Sequence, residues 1–181
     1  MINNTENSLL LIIDIQEKLL NAAYNKESIA KNSEILSKSA SILEIPTIIS
    51  EQYPKGLGFT INNIKDNVSD TTLIIEKTSF SALEEDAIYK AIKKQKKKQI
   101  IICGIETHIC VYQTIISLLK KGYDVSIIID ASGSRSEFQH NNALNMLQKA
   151  GANIKTTEMV LFELLKSSKH PKFKEVQNLI K

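Results

Sequence analysis

The chain changes from a strand pattern to a helix pattern within the stretch Ile100-Ile101-Ile102-Cys103-Gly104-Ile105-Glu106-Thr107-His108-Ile109-Cys110. Its first four residues predict a buried strand, which ends at Gly104. The apolar spacing that starts at Val111 predicts a helix with one buried face. Thr107 is the predicted N-cap of this helix, so Cys110 falls in the first turn. Unpaired N–H groups and the helix dipole favour a thiolate there, which makes Cys110 a candidate nucleophile.

Strand-like and helix-like segments alternate along the rest of the chain. The predicted strands cover residues 8–14, 47–50, 73–76, 99–103, 125–130 and 153–156. The other predicted helices cover residues 26–44, 81–98, 136–151, 158–165 and 172–180. Residues 51–70 are predicted to form a long loop, a kind of segment that is often functional. This alternation predicts an α/β fold with a mostly parallel, doubly wound sheet, and the length of 181 residues predicts a single domain, 1–181.

The composition excludes several classes of function. The net charge is +3, and Arg135 is the only arginine among 23 basic residues, so we expect no nucleic-acid partner. The lysine-rich run at 93–98 is better explained as a solvated helix end than as a nucleic-acid patch. Two cysteines cannot form a disulfide framework, which predicts a cytoplasmic protein. No segment has the length of a signal peptide or membrane span, so no membrane partner is expected.

Three reactive side chains follow the carboxyl ends of predicted strands, where ligands bind in such sheets. They are Asp14, Lys77 and Cys110. Taken singly, each has an ordinary explanation as a turn former, a surface lysine or a core cysteine; all three at one edge favour a site. We hypothesise that Cys110 is the nucleophile, Asp14 the general base and acid, and Lys77 their electrostatic partner. Asp14 must then be buried, because proton transfer from a free thiol to an ordinary aspartate is uphill by about 6 kcal/mol.

Six segments carry a resemblance to a known family. Three of them resemble the signature blocks of the isochorismatase-like cysteine hydrolases: Ile12-Ile13-Asp14-Ile15-Gln16, Glu76-Lys77-Thr78-Ser79-Phe80-Ser81 and Gly104-Ile105-Glu106-Thr107-His108-Ile109-Cys110-Val111. The segments 51–58, 130–135 and 170–175 resemble the isochorismatase-domain-containing proteins in that superfamily. The order and spacing of the blocks fit over nearly the whole chain.

The resemblance implies a fold, a site and a reaction. The fold is a three-layer α/β/α arrangement around a six-stranded sheet of order 3-2-1-4-5-6. The site is a triad of Asp14, Lys77 and Cys110, with a cis peptide bond between Ile105 and Glu106. The backbone N–H groups of Glu106 and Cys110 would form an oxyanion hole. The reaction is attack of the thiolate on a small amide-like or ester-like substrate, with a thioester intermediate, and the protein would form homo-oligomers.

Two differences from other members of that superfamily restrict the expected cofactor and the expected reaction. Its nicotinamidases hold a metal through an Asp-x-His pair and a further histidine, and the chain has no histidine between Ser50 and Leu73. We therefore expect no metal and no cofactor, and a nicotinamidase-like amidase becomes an alternative only. True isochorismatases act on a vinyl ether and need no cysteine, so the presence of Cys110 favours the thiol route.

Several other residues have a functional and an ordinary interpretation. Gln16 and Gln52 are candidates to bind a substrate amide or orient Asp14, and loop capping is an equal alternative. Tyr53 and Phe80 are candidates to wall an apolar pocket, or else pack ordinarily. Arg135, with Asp130, is expected to brace a loop or a subunit contact in preference to binding substrate. The apolar tail at 173–180 could serve a subunit interface.

The histidines and the second cysteine are expected to play no catalytic part. His108 should point away from Cys110, toward the surface or pocket rim. His140 and His170 are expected to be exposed, and Cys103 to be inert core. A catalytically silent interaction protein and a thiol redox sensor are the alternatives from other functional classes. The redox sensor needs a resolving cysteine, for which a buried strand position such as Cys103 is poorly placed.

Overall fold

The computed structural model describes residues 2–181, and its centre is a six-stranded sheet. All neighbouring strands are parallel, in the order β3-β2-β1-β4-β5-β6. The strands are β1 (Ser8–Ile13), β2 (Thr47–Gln52), β3 (Leu73–Lys77), β4 (Gln99–Ile105), β5 (Asp124–Gly133) and β6 (Asn153–Lys155). The predicted α/β class and the strand order implied by the resemblance are confirmed.

Helices cover both faces of this sheet. They are α1 (Glu17–Ala22), α2 (Lys26–Ile42), α3 (Pro54–Leu57), α4 (Asn62–Lys65), α5 (Asp86–Gln95), α6 (Tyr112–Lys120), α7 (Glu137–Lys149), α8 (Thr157–Leu165) and α9 (Phe173–Gln177). One face packs against α2, α8 and α9, and the other against α5, α6 and α7. Within residues 2–181, no helix is long and apolar enough to cross a membrane.

The central strand β1 is buried on both sides because every one of its residues is buried. Leu10 and Ile12 pack on the α2 face, whereas Leu9, Leu11 and Ile13 pack on the α5 face. Burying one such side chain stabilises the fold by about 1.5–3 kcal/mol, so β1 anchors both layers. Its carboxyl end therefore lies in the middle of the sheet edge, where the strand order reverses and ligands bind.

The sequence prediction differs from the structure mainly in short elements. Residues 51–70 are not a plain loop, since they contain the one-turn helices α3 and α4. Helix α1 was not predicted, because none of its six residues is buried and it carries no apolar periodicity. Ser81 does not cap α5 but a 3₁₀ turn, Ala82–Glu84, where its side chain accepts a bond from the Leu83 N–H.

The C-terminal segment packs inside its own chain. Helix α9 ends at Gln177, before the predicted limit, and Val176 is fully buried. Phe173, Leu179 and Ile180 also pack against the core on the α2 face. The apolar tail thus stabilises the fold of its own chain, and its suggested part in a subunit interface stays a prediction.

Candidate active site

Asp14 lies directly after β1, and the neighbouring strand holds it at two points. Its N–H donates to the carbonyl of Ser50 (3.1 Å), and its Oδ1 accepts a bond from the Ser50 hydroxyl (2.6 Å). The residue is completely buried. Burial raises the pKa of the Asp14 carboxyl, although Lys77 and Ser50 act in the opposite direction. Asp14 thus meets the condition of burial that a general base for a thiol requires.

Lys77 ends β3 and reaches past β2 to the same point. Its Nζ lies 2.8 Å from Asp14 Oδ2, and both side chains are completely buried. The ammonium donates to Gln52 Oε1 (2.5 Å) and to the carbonyls of Ser79 (3.0 Å) and Phe80 (3.2 Å). An ammonium has three protons to share among these acceptors and Asp14 Oδ2. The Asp14 carboxyl also lies within hydrogen-bonding reach of the Cys110 thiol, so it faces both a positive charge and a proton donor.

Cys110 lies in a π-helical turn, Thr107–Val111, that leads into α6. Its thiol is within hydrogen-bonding reach of both Asp14 and Lys77. The residue is 7% exposed. Burial, and then the Asp14 charge, raise the pKa of the Cys110 thiol to about 12, although Lys77 lowers it. The helix dipole favours a thiolate by less than one pKa unit, so burial outweighs it, and the thiol needs a base as expected from the sequence.

Two hydroxyl side chains that support this arrangement were missed from the sequence. Ser50 holds Asp14, and the hydroxyl of Thr114 donates to the carbonyl of Cys110 (2.6 Å). Thr114 also accepts the N–H of Ala82 (2.9 Å), which ties the nucleophile turn to the segment after Lys77. Ser50 could have been identified from the sequence, since it is a polar residue at the end of a buried strand. Thr114 was assigned only to the buried face of a helix.

The start of the nucleophile turn differs from the prediction. Glu106, not Thr107, is the N-cap residue, and no side chain caps the turn. The Thr107 hydroxyl instead hydrogen-bonds His140 Nδ1 at 2.9 Å. His140 is buried, so its predicted exposure was wrong, and burial lowers the pKa of its imidazole. His170, also expected to be exposed, is half-buried.

The residue before this turn, Glu106, follows the cis peptide bond that the resemblance implied. The peptide bond between Ile105 and Glu106 is cis. Within the described chain, the Glu106 N–H donates to no protein acceptor. The Glu106 carboxylate accepts bonds from Arg135 Nε (2.9 Å) and Nη2 (2.8 Å). These bonds hold the pKa of the Glu106 carboxyl below its usual range. Arg135 therefore braces a loop, as predicted, and its partner is Glu106.

His108 and the two glutamines are engaged within the protein. His108 Nδ1 hydrogen-bonds the Ser134 hydroxyl at 2.9 Å. Gln16 is completely buried, and its Nε2 donates to the carbonyls of Gln52 (3.0 Å) and Gly58 (2.6 Å). Its Oε1 accepts the Gln52 N–H (2.6 Å). This geometry fits loop capping and leaves Gln16 no surface for a substrate, whereas Gln52 contacts Lys77 directly.

Tyr53 and Phe80 lie at the rim of the site. They are 56% and 55% exposed, so neither is ordinary core packing. A cavity of about 260 Å³ opens beside Tyr53. Its lining consists of Tyr53, Pro54, Lys55, Glu76, Lys77, Thr78 and Glu85. Cys110 is not part of this lining, and the residue as a whole is 7% exposed.

The structure also bears on the redox and metal interpretations. Cys103 packs in the core on the α2 face and Cys110 on the α5 face, so the sheet separates them. Cys103 is completely buried, and burial raises the pKa of its thiol. It is not placed to resolve an oxidised Cys110. Among residues 2–181, no three His, Cys, Asp or Glu side chains cluster so as to hold a metal, so the donor set does not fit a metal centre.

A cluster of lysines lies elsewhere, where α5 and α6 end and β4 begins. Lys93 and Lys121 stand over the ring of Tyr89, at 5.6 and 4.4 Å from its centroid. Lys98 stands over Tyr123 at 5.7 Å. The cluster is therefore at the amino end of the sheet, and Asp14, Lys77 and Cys110 are at the carboxyl end.

Comparison with known proteins gives consistent results. The isochorismatase domain model matches residues 8–159. The isochorismatase domain-containing protein 2 of Xenopus laevis is 40% identical over 174 residues, covering 96% of this chain and 83% of the relative. The MAR1 ribonuclease of Caenorhabditis elegans is 40% identical, with a TM-score of 0.95 and coverage of 99% and 92%.

A more distant structure has the same fold. The YcaC protein of Escherichia coli, described as an octameric hydrolase of unknown specificity, is 25% identical with a TM-score of 0.89. The match covers 99% of this chain and 95% of YcaC. The family match spans most of the chain and the relatives align over nearly all of it. The chain therefore belongs to the isochorismatase domain family, whose members are generally hydrolases.

Proposed function

We propose that this protein is a metal-independent cysteine hydrolase that cleaves a small amide-like or ester-like substrate through a thioester on Cys110. One observation carries the proposal: a buried carboxylate, a buried ammonium and a thiol, from three distant segments, meet at the carboxyl edge of the sheet. Family membership supports the hydrolase class. The triad of Asp14, Lys77 and Cys110 and the substrate class are the proposed part.

Acylation begins with the thiol, because burial and the Asp14 charge raise the pKa of Cys110. Cys110 Sγ attacks the substrate carbonyl carbon while its proton passes to the Asp14 carboxylate, which is within hydrogen-bonding reach of the thiol. The oxyanion that forms accepts bonds from the N–H groups of Glu106 and Cys110. The C–N bond then breaks as Asp14 returns the proton to the leaving nitrogen, and the acyl group stays on sulfur.

Deacylation uses the same groups in reverse. Water gives a proton to Asp14 as its oxygen attacks the thioester carbonyl, and the carbon–sulfur bond breaks. The acid product leaves, and Cys110 recovers its proton from Asp14. Throughout, Lys77 stays protonated, held by Gln52 and the carbonyls of Ser79 and Phe80, and favours the ionised form of Asp14.

The test is a panel of small amides and esters, nicotinamide included, assayed with wild-type protein and with Cys110→Ala. We expect turnover that Cys110→Ala abolishes, and an acyl adduct on the Cys110 peptide after rapid acid quench and mass spectrometry. Cys103→Ala is the matched control and should keep full activity, since Cys103 lies on the opposite face of the sheet. An active Cys110→Ala protein would end the assignment.

A catalytically silent interaction protein is the alternative from another class. Such a protein does not need a reactive thiol at the site. The rate of iodoacetamide labelling therefore distinguishes it from a cysteine hydrolase. Under the hydrolase proposal Cys110 labels faster than Cys103, which has no exposed surface. Equal, slow labelling of both thiols together with no turnover on the panel would favour the silent protein.

Cleavage of RNA is a second candidate, because a relative of 40% identity is named a ribonuclease. The lysine cluster, however, lies where β4 begins, and Cys110 lies beyond its end. Seven residues of strand separate the two ends by about 20 Å. RNA held by these lysines would not present its backbone to Cys110. An RNA oligonucleotide belongs in the panel, and cleavage that Cys110→Ala abolishes would favour this candidate.

A further inference from the structure

Glu106 and the first two residues of the nucleophile turn each bond to a side chain from residues 134–140, which join β5 to α7 and form the first turn of α7; we call these residues the β5–α7 segment. The pairs are Glu106 with Arg135, Thr107 with His140, and His108 with Ser134. These residues lie between the cis peptide bond and Cys110. The β5–α7 segment therefore fixes the backbone that leads to the nucleophile, from outside the turn itself.

The bond to Glu106 is the strongest of the three. Arg135 holds both carboxylate oxygens, at 2.9 and 2.8 Å, in a two-point contact that a lysine cannot make. Arg135 is the only arginine in a chain with 23 basic residues. The Glu106 side chain is 10% exposed, so solvent screens the pair less than it would screen an ordinary surface pair.

The same residue, Glu106, offers a free backbone N–H at the cis peptide bond that precedes the turn of Cys110. Its carbonyl accepts bonds from the N–H groups of Ile109 (3.0 Å) and Val111 (3.2 Å), which tie it to the turn. Its carboxylate is tied to Arg135. Within the described residues only its N–H is left without a protein partner. A residue fixed at its carbonyl and its side chain holds its N–H in one direction.

We propose that Arg135 is a positioning residue for the oxyanion hole: by holding the Glu106 carboxylate at two points, it orients the Glu106 N–H toward the substrate oxygen. This inference rests on the proposed hydrolase function. Arg135 acts in this proposal through Glu106, to which its Nε and Nη2 are bonded. Misplacing a catalytic group by about 1 Å costs about 10²-fold in rate, so loss of the contact should be measurable in kcat.

The kinetic test compares Arg135→Ala, Arg135→Lys and Glu106→Gln with the best substrate of the panel. We expect Arg135→Ala to lower kcat by about 10²-fold with KM unchanged, as for a contact that matters only in the transition state. Arg135→Lys should recover part of kcat, because it restores the charge without the two-point contact. The double variant Arg135→Ala/Glu106→Gln should be no slower than Arg135→Ala. Lys172→Ala, which breaks an exposed pair with Glu175, is the control and should match wild type.

Two kinetic results would overturn the inference. A rise in KM with kcat unchanged would mean that Arg135 binds the substrate directly. Effects that multiply in the double variant would mean that Arg135 and Glu106 act independently. The thermal midpoint of each variant is measured in parallel, so that a loss of folded protein is not counted as a loss of kcat.

Hydrogen–deuterium exchange tests the same contact without any substrate. In Arg135→Ala, amides in the peptide covering residues 104–112 should exchange faster, and those of β1 and β2 should not. Unchanged exchange at 104–112 would overturn the inference even in a protein without turnover. If wild type hydrolyses nothing on the panel while the exchange changes as expected, it is the proposed function that fails, and the bracing of the turn by Arg135 stands.

Discussion

Asp14 and Lys77 show how much of this site depends on the exact partners of single atoms. The Lys77 ammonium contacts three neutral acceptors and also lies 2.8 Å from Asp14 Oδ2. The ammonium favours the ionised form of Asp14, and burial opposes it. Gln52 is one of these acceptors, and the buried Gln16 holds the Gln52 backbone. Gln16 therefore positions Gln52, and Gln52 in turn holds the Lys77 ammonium.

Replacing Asp14 with Asn should separate thiol reactivity from turnover. The Asp14 charge raises the pKa of Cys110, and Lys77 lowers it, so removing the carboxylate lowers the thiol pKa. We expect Asp14→Asn to alkylate faster with iodoacetamide at pH 8 and to lose about 10²–10⁴-fold in kcat, since it has no base. Cys110→Ala measures any background from Cys103. Slower alkylation together with slower turnover would mean that Asp14 maintains a resting thiolate, against the proposed mechanism.

Replacing Lys77 with Met should move the acid limb of the pH–rate profile. Asp14 must be ionised to accept the thiol proton, so activity falls as the pH drops through the Asp14 pKa. Burial already raises that pKa, and Lys77 opposes the rise. Losing Lys77 therefore raises the pKa further, and the acid limb of kcat/KM should move to higher pH. Lys90→Met, at an exposed lysine, is the control. An unmoved acid limb would exclude Asp14 as the titrating base.

At the scale of elements, the site depends on how closely β1 and β4 approach each other. Gly104 in β4 has a φ of +146°, and a Cβ there would overlap the carbonyl oxygen of Ile13. Ile13 immediately precedes Asp14, and Gly104 precedes the cis peptide bond by one residue. The glycine therefore allows the two strands that carry Asp14 and Glu106 to stay paired up to their ends.

Gly104→Ala should accordingly destabilise the protein more than a glycine replacement in a turn. The strained φ and the overlap together are expected to lower the free energy of unfolding by about 2–5 kcal/mol. Gly122→Ala is the matched control: Gly122 also has a positive φ (+77°), but no atom lies within 4 Å of its added Cβ. It should cost about 1–2 kcal/mol. Urea denaturation followed by circular dichroism measures both values, and equal losses would contradict the close-approach argument.

The turn that holds Cys110 is an element whose position was predicted but whose form was not. A strand, a glycine and an apolar helix pattern place the cysteine correctly at the junction. The π-helical turn and the loss of the Thr107 cap come from contacts with Ser134, Arg135 and His140. Local cap preferences are worth about 1 kcal/mol, which contacts of this kind outweigh.

At the scale of the whole molecule, exposed apolar residues support the proposal that the protein forms homo-oligomers. The edge strand β3 exposes Leu73 (43%) and Ile74 (44%), and Phe138 is 77% exposed. Exposed edge strands and apolar patches favour association with another chain. The fold is shared with E. coli YcaC, which is described as an octamer.

Light scattering coupled to size-exclusion chromatography measures the assembly directly. We expect a mass that is a multiple of the 20.3 kDa chain at micromolar concentration. Leu73→Lys/Ile74→Lys, which charges the exposed edge, should shift the mass toward the monomer if β3 lies in the interface. A single 20.3 kDa species for the wild type would contradict the proposal. The single-domain organisation and cytoplasmic location stay predictions.

The sequence alone determined the fold class and predicted that Asp14, Lys77 and Cys110 lie at one edge of the sheet. The spacing of apolar residues, the strand lengths and the turn residues are local properties, so each can be recognised from a short stretch of the chain. The carboxyl ends of parallel strands share one edge of a sheet, so Asp14, Lys77 and Cys110 could be assigned to one site from their positions after predicted strands. The strand order and the family came from the resemblance of short blocks, which family membership bears out.

Only the tertiary structure decided the protonation of the site and the partners that hold it. The high pKa of Cys110, the buried His140 and the Arg135–Glu106 contact all depend on residues distant in sequence. The burial of a side chain and the partners it bonds to depend on its neighbours in space, whereas the sequence gives only its neighbours along the chain. A lone histidine or arginine therefore looks like a surface residue until the packing of β5 and α7 against the nucleophile turn is known.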